Sequence, residues 1–311
     1  MKKLLDYIFF TRPVLFPPVW TILILGVRAA DAREGASPFY STGADGLDPT
    51  FILLMFLATC LYAGVYTYNQ IHDIETDRKN GKLFFLAEGM ISTTEALLIT
   101  VVLDAVAIAG GFYISVHIGY AFAAVLILGI LYSHPRTNFK GKPSHGYWAN
   151  AFGHGMLPFI IGWAFLDSIS LEAAFKSTPY LFGVGAIFLN TTLPDRRGDE
   201  DAGKITHGVR WGVKSTMQAS VFLVILSVIL AQMSGDYAYL ISGLIALPFF
   251  IRAARSQKLE HITLSTKIAI LALSAFACIY LPYYLALLLI GFMVARAYYK
   301  MRFDLDYPTL R

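Results

Sequence analysis

Charged side chains are scarce in this chain. Aspartate, glutamate, lysine and arginine make up 15% of its 311 residues, whereas 56% of the residues are hydrophobic. A soluble domain carries about 25% charged residues, so the composition excludes an ordinary soluble protein and favours a polytopic membrane protein. The net charge is only +4, and a bias of basic residues towards one side of a membrane accounts for it without a nucleic-acid partner.

Cysteine is also nearly absent. Cys60 and Cys278 both lie in apolar runs, which predicts buried free thiols and argues against a disulfide framework or a C-x-x-C metal site. No Pro/Ser-rich linker or low-complexity block divides the chain. The first apolar run lacks a small-residue cleavage signature, so we interpret it as a retained helix. We therefore expect residues 1–311 to form one membrane domain.

Long apolar runs dominate what is present. A membrane-spanning helix needs about 20 such residues, and Pro282 interrupts the last and longest run. All but three of the 25 lysines and arginines fall on alternate connections, which places the amino terminus and the polar loops on the cytoplasmic side. The exceptions are Arg28, Arg33 and Lys176. The prediction is an all-α bundle of nine or ten transmembrane helices with a cytoplasmic polar cap, built on the runs 14–29, 50–68, 95–113, 117–133, 147–166, 179–193, 215–234, 237–251 and 264–298.

An acidic cluster follows the second apolar run. Asn69, Asp73 and Asp77 are spaced four residues apart, so on a helix they share one stripe. Carboxylates are costly near a membrane unless they are used, and a pair on one face can bind a hard cation such as Mg²⁺. A solvated helix end is the alternative interpretation.

A second acidic pair repeats this spacing 122 residues later. Asp195 and Asp199 follow the run 179–193, and Gly198 and Gly203 allow the backbone to approach a ligand closely. Taken alone, this segment is equally typical of a salt-bridged surface loop. Two such pairs facing each other are suited to hold Mg²⁺ and a diphosphate between them.

A third polar segment leaves another helix at the same end of the predicted bundle. It contains Tyr132, Arg136 and Lys140. Cationic side chains beside metal-binding carboxylates suit a departing phosphate anion, although positive-inside anchoring alone would also explain them. His72, between Asn69 and Asp73, is either a partner to the metal ligands, a base on the acceptor side, or a helix-end histidine without a role.

The two acidic motifs, in this order, resemble those of the UbiA superfamily of intramembrane prenyltransferases over nearly the whole chain. The first family motif, N-D-x-x-D-x-x-x-D, and the second, D-x-x-G-D-x-x-x-G-x-x-T, are matched together with a Tyr-x-x-x-Arg/Lys element, an opening Thr-Arg-Pro and an asparagine in the next helix. The matching residues are Asn69, Asp73, Asp77, Asp195, Gly198, Asp199, Gly203, Thr206, Tyr132, Arg136, Thr11, Arg12, Pro13 and Asn150.

The resemblance implies a helix bundle around a central cavity. It implies that an isoprenyl diphosphate binds through Mg²⁺, that its ionisation gives an allylic cation, and that a hydrophobic acceptor, aromatic or lipid-like, attacks this cation within the membrane lipids. The implied metal ligands are Asn69, Asp73, Asp77, Asp195 and Asp199, the four aspartates being catalytic. Arg12, Tyr132, Arg136, Lys140 and Lys204 would bind the diphosphate, and His72 and Asn150 would lie on the acceptor side or behind the ligands.

The chain departs from the family pattern at several positions. Gln70 replaces an aspartate of the first motif, and Thr192 and Arg197 stand where acidic residues are common around the second. After the first motif, a basic residue and a proline are replaced within residues 84–89. The metal-binding pairs survive, whereas the identity of the acceptor is left open.

Three other functions compete with prenyl transfer. A terpene cyclase on the same scaffold would capture the cation with the substrate's own double bond. A non-catalytic member would only bind an isoprenoid or a partner. A transporter or channel would relay ions through acids at mid-membrane, but the acidic clusters lie at helix ends and Asp104 is the lone acid in the middle of a span.

Overall fold

The computed structural model describes residues 2–31, 48–79, 84–201 and 203–308, and all regular secondary structure in them is helical. This confirms the all-α prediction. Two 3₁₀-helices (Pro13–Leu15 and Phe139–Gly141) and a π-helix (Ala151–Met156) accompany the α-helices. The α-helices are α1 (Lys2–Phe10), α2 (Phe16–Asp31), α3 (Pro49–Lys79), α4 (Phe84–Ala87), α5 (Thr93–Ile114), α6 (Val116–Ser133), α7 (Pro143–Asn150), α8 (Leu157–Trp163), α9 (Leu171–Thr191), α10 (Arg196–Asp201), α11 (His207–Ser234), α12 (Tyr237–Ser256), α13 (Leu259–Tyr280) and α14 (Pro282–Phe303).

Eight helical segments in the described residues are long and apolar enough to cross a membrane. They are Lys2–Asp31, Pro49–Glu75, Thr93–Ile114, Val116–Ser133, His207–Ser234, Tyr237–Ser256, Leu259–Tyr280 and Pro282–Phe303. The long final run is therefore two helices, because the chain breaks at Leu281 and Pro282 starts α14 at a position where its missing N–H is not needed.

Two further segments occupy the remaining predicted runs. Residues 143–163 pass from α7 through the π-helix into α8, and α9 extends over 21 residues. The number of crossings, nine or ten, stays a prediction.

The helices pack closely where small residues face each other. A Cβ atom at Gly162 of α8 would collide with the carbonyl oxygen of Leu23, and one at Gly26 of α2 with that of Phe159. Helix α2 thus packs backbone to backbone against α8, as small residues allow in membrane bundles. Exposed apolar side chains cover the outer faces of α5 and α14, among them Leu97, Leu98, Val101, Val102, Leu289, Ile290 and Met293. Such surfaces fit a lipid environment.

The polar segments meet at one end of this bundle. Helix α10 packs against α3, α10 also contacts the start of α11, and the 3₁₀-helix Phe139–Gly141 lies beside α6 and α7. These contacts bring the three polar segments of the sequence to the same place.

Candidate functional site

The first acidic motif lies on a helix and not in a loop. We expected the apolar helix to end near residue 68, but α3 continues to Lys79. It continues because this segment has its own apolar face, on which Ile71 and Ile74 pack against a cluster containing Phe9, Phe10 and Phe85. Asn69, Asp73 and Asp77 consequently share a helical stripe, as their spacing predicts.

Gln70 takes no part in the acidic stripe. Its side chain is buried, with 3% exposed, and its amide Nε2 donates a hydrogen bond of 2.8 Å to the carbonyl oxygen of Phe10 at the end of α1. The last carbonyl groups of a helix lack partners within the helix, so Gln70 links α3 to the end of α1. The missing carboxylate at this position therefore reflects a structural contact.

Two lysines from distant parts of the chain converge on Asp73. The Lys140 Nζ atom lies 2.8 Å and the Lys204 Nζ atom 3.1 Å from Asp73 Oδ1. The side chains of Asp73 and Lys140 are 14% and 10% exposed, so these charges are largely removed from water. Burial lowers the pKa of Lys140, and the Asp73 carboxylate opposes this shift. An anionic and a cationic group thus share one half-buried site.

Backbone turns next to Lys140 and Lys204 direct both side chains towards Asp73. Asn138 adopts a left-handed conformation (φ 45°) immediately before the 3₁₀-helix that carries Lys140. Gly203 has φ +70°, and the N–H groups of Gly203 and Lys204 donate to the carbonyl oxygens of Glu200 and Asp199. This pair of bonds is the Schellman motif, which ends a helix at a left-handed residue, usually glycine. It reverses the chain after α10 and directs Lys204 towards α3.

The carboxyl group of Asp77 has a raised pKa. Burial, followed by the neighbouring Asp73 carboxylate, raises the pKa of Asp77 to about 6. The cations Arg12, Lys204 and Lys140 act in the opposite direction, and Arg12 is the first of these. Arg12 lies at the start of the 3₁₀-helix Pro13–Leu15 with φ 60°, a conformation uncommon outside glycine and often found at functional sites.

The second motif faces the first. Asp199 is buried on α10, the short helix that packs against α3, and its N–H donates to the Asp195 carbonyl at 2.9 Å. Tyr132, at the end of α6, lies within electrostatic range of Asp73, Asp199 and Arg12, and the Asn150 side chain is beside its hydroxyl. One aspartate of each motif is thus near Tyr132. That the two pairs form one metal and diphosphate site stays a prediction.

The donor chemistry of this site suits a hard divalent cation. Its aspartates and Asn69 supply oxygen ligands of the kind that Mg²⁺ prefers. Burial and the neighbouring Asp73 carboxylate raise the pKa of Asp77, and both effects would be offset by a bound cation. In the described part of the chain, however, no three His, Cys, Asp or Glu side chains form a ready metal centre, and Lys140 and Lys204 neutralise Asp73. A metal would therefore be held jointly by protein and ligand oxygens.

The other predicted residues lie around this centre. Arg136 is exposed at the rim and pairs with no residue that the structure describes, although its N–H donates to His134 Nδ1 at 3.2 Å. The His72 ring packs edge-on against Tyr68, with 4.7 Å between ring centroids. Thr192 accepts a hydrogen bond from the Gly208 N–H and ties α9 to α11, while Arg197 is exposed.

A wall of aromatic residues beneath the acidic stripe is absent from the sequence predictions. Tyr62 and Tyr66 precede Asn69 on α3, and the Tyr66 ring stacks on His154, with 5.7 Å between centroids. His154 lies on the π-helix and lines a cavity of about 30 Å³ that Tyr132 and Asn150 also line. The helical spacing of Tyr62, Tyr66 and Asn69, and of Asn150 and His154, is the signal that indicates this wall.

Comparison with known proteins supports the same family. A model of the UbiA prenyltransferase family matches residues 35–261. The digeranylgeranylglyceryl phosphate synthase of Sulfurisphaera tokodaii is 24% identical over 204 residues, which are 64% of this chain and 70% of that protein.

Solved structures share the fold. A UbiA homologue from Archaeoglobus fulgidus bound to GPP and Mg²⁺ superposes with a TM-score of 0.67 at 20% identity, covering 88% of this chain and 99% of that one. The apo structure of a homologue from Aeropyrum pernix K1 superposes with a TM-score of 0.64 at 16% identity, covering 90% and 97%. Because the family model matches most of the chain, this protein is a member of the UbiA prenyltransferase family and a multi-pass intramembrane prenyltransferase.

Proposed function

We propose that this enzyme moves an isoprenyl group from its diphosphate to a lipid-like or aromatic acceptor through an allylic cation. The observation that carries the proposal is the position of Asp73, whose Oδ1 atom receives both Lys140 and Lys204, beside Asp77, whose pKa is raised first by burial and then by the Asp73 carboxylate. A site that mixes acids and bases in this way accommodates a metal and a diphosphate together, because each supplies the charge that the other group of side chains lacks.

The charges of the side chains indicate which residues would bind Mg²⁺ and which would bind the diphosphate of the prenyl donor. Asn69, Asp73, Asp77, Asp195 and Asp199 would hold Mg²⁺, which when bound neutralises the leaving diphosphate. The diphosphate-binding groups would be those at and around the rim of the acidic stripe: Arg12, Tyr132, Arg136, Lys140 and Lys204. Homologues from Archaeoglobus fulgidus are solved with GPP or DMAPP and Mg²⁺, which supports an isoprenyl diphosphate as the donor here.

Lys140 and Lys204 have two states in this proposal. Without ligand they neutralise Asp73, and with the donor bound they turn to the diphosphate oxygens. Charge-assisted hydrogen bonds of this kind strengthen as negative charge moves onto the leaving group.

The reacting carbon of the prenyl group would lie deeper in the helix bundle than the diphosphate. There Tyr62, Tyr66 and His154 form a wall beside Tyr132. Aromatic faces stabilise a nearby cation, and a packed wall keeps water away from it. Asn150 and His72 would lie on the acceptor side or behind the ligands. The name of the Sulfurisphaera tokodaii relative favours a lipid-like acceptor over a soluble phenol.

We also propose ten crossings, with both termini and the active site on the cytoplasmic side. Residues 143–163 and α9 would be the fifth and sixth crossings, in addition to the eight segments given above. Positive-inside charge bias supports this orientation.

The test is product formation by the purified protein in detergent. Labelled geranyl, farnesyl and geranylgeranyl diphosphates are supplied with Mg²⁺ or EDTA, with and without a membrane lipid extract as the source of acceptor. Variants Asp73→Ala and Asp199→Ala are compared with Lys142→Gln, a charge change on an exposed residue near Lys140.

We expect Mg²⁺-dependent diphosphate release that both aspartate variants lose by at least about 100-fold and that Lys142→Gln retains, since removing one preorganised electrostatic group costs about 10²–10³ in rate. A labelled product that appears only with the extract establishes transfer. A cyclic hydrocarbon or alcohol formed without extract would establish cyclisation instead. If no donor releases diphosphate and the aspartate variants bind donors like the wild type, the diphosphate site is refuted.

A further inference from the structure

Two of the three basic residues that break the charge bias of this chain meet in one place. Arg28 near the end of α2 and Lys176 near the start of α9 line a common cavity of about 70 Å³; Arg33 lies outside the described residues. On α9, Lys176 is 15 residues from Thr191, next to the second acidic motif, which corresponds to ~22 Å of helix. The cavity is therefore at the end of the bundle opposite to the diphosphate site.

The Arg28 side chain is buried there with part of its hydrogen-bonding capacity unused. It is 8% exposed, its Nη1 atom lies 2.6 Å from Asp31 Oδ2, and its guanidinium lies 5.2 Å above the Tyr280 ring. The Nε and Nη2 atoms are buried, and no residue in the described part of the chain forms a hydrogen bond with them. Leaving charged donors buried and unsatisfied is costly, so this geometry indicates a missing acceptor.

The two carboxylates near the cavity already have partners within the protein. Asp236 receives hydrogen bonds from the Tyr180 hydroxyl at 2.6 Å and from the Tyr239 N–H at 2.9 Å, and Asp31 receives Arg28. Lys176 Nζ donates to the Ser234 carbonyl oxygen at 3.3 Å, which leaves two of its three donor hydrogens. Among the residues that the structure describes, Arg28 Nε and Nη2 therefore remain without an acceptor, although two carboxylates are close by.

We infer that this cavity binds an oxyanion, a phosphate group held by Arg28 and Lys176. The guanidinium of arginine is matched to phosphate oxygens, and a cavity of this size admits one such group. Its place at the end of membrane-crossing helices is where lipid headgroups lie, so the phosphate of an anionic lipid is one source and free inorganic phosphate is the other.

The experiment measures thermal unfolding of the purified full chain in a neutral detergent. Three additions are compared: dioleoylphosphatidylglycerol, dioleoylphosphatidylcholine and inorganic phosphate. Each is titrated into the wild type and into Arg28→Gln, Lys176→Gln and the control Lys214→Gln, which removes an exposed cation at the other end of the bundle. Lys176→Gln serves as the second test because it changes a less buried residue, in case Arg28→Gln alters folding.

We expect phosphatidylglycerol to raise the melting temperature more than phosphatidylcholine does, with an apparent affinity that falls about tenfold or more in Arg28→Gln and Lys176→Gln, the usual effect of losing a hydrogen bond to a charged group. Lys214→Gln should match the wild type. If inorganic phosphate reproduces the whole shift, the ligand is the free anion; if only the lipid does, it is the headgroup. Equal shifts by both lipids with no effect of phosphate, or full responses in both variants, would overturn the inference.

Discussion

The charge of Asp77 depends on pH in the range where enzymes work. With a pKa of about 6, it is about one quarter ionised at pH 5.5 and almost fully ionised at pH 7.5. Only the ionised form is a good metal ligand. We therefore predict that the Mg²⁺ concentration for half-maximal diphosphate release rises about fourfold between pH 7.5 and pH 5.5, as measured by Mg²⁺ titration at each pH.

The Asp77 carboxyl group also makes the folding stability of the metal-free protein depend on pH. The folded pKa of Asp77 is raised above its ordinary value of 3.8, so the folded state binds more protons than the unfolded state between pH ~4 and ~6. Its contribution to stability is therefore lost as the pH rises through this window. Asp77→Asn should flatten this part of the stability profile of the metal-free protein. An unchanged slope in the variant would show that Asp77 titrates normally.

Gln70 yields a prediction against the family pattern. Substitution Gln70→Asp restores the usual carboxylate, but here it would place an acceptor against the Phe10 carbonyl oxygen and remove the 2.8 Å hydrogen bond. We expect destabilisation by about 1–3 kcal/mol and no gain in Mg²⁺ affinity. Thermal unfolding and Mg²⁺ titration measure the two effects. A more active Gln70→Asp with unchanged stability would mean that position 70 faces the metal.

At the scale of elements, the turn after α10 decides where Lys204 lies. Gly203 and Gly235 both have φ +70°, and a Cβ atom would meet nothing within 4 Å at either position. Alanine at either glycine therefore costs only backbone strain, about 1 kcal/mol. We predict that Gly203→Ala lowers diphosphate release like Lys204→Gln, because it misdirects that lysine. The control Gly235→Ala, at the end of α11, should lose similar stability and keep its activity; equal activity of the two alanine variants would contradict this role of the turn.

The elements show what local sequence can and cannot predict. Apolar runs predicted the membrane helices, since periodicity and length are local properties. The sequence does not predict the extension of α3 beyond residue 68. This segment is apolar only at Ile71 and Ile74, on the face that meets α1 and α4. The sequence does not predict the π-helix at 151–156 either, because its hydrogen-bond register depends on packing against α2 and α9 rather than on composition.

The molecule as a whole explains the remaining gap in the predicted site. The Asp motifs were identified from spacing, but the contact of Lys204 with Asp73 joins residues 131 positions apart. Only the packing of α10 on α3 creates that contact, so sequence could nominate both residues and not their pairing. Arg28 and Lys176 are a parallel case: sequence marked them as exceptions, and the fold brought them to one cavity.

The orientation of the whole bundle gives a final prediction. Because Pro282 divides the last apolar run into α13 and α14, the proposed ten crossings place both termini on the same side. In a Cys60→Ala, Cys278→Ala background, single cysteines replace Ser168, Lys214 and Asp304, which are all exposed. A membrane-impermeant maleimide should label Ser168→Cys in intact cells, and Lys214→Cys and Asp304→Cys only after permeabilisation, because basic segments stay inside. Labelling of Asp304→Cys in intact cells would remove one crossing, and labelling of Lys214→Cys would place the diphosphate site on the outer face.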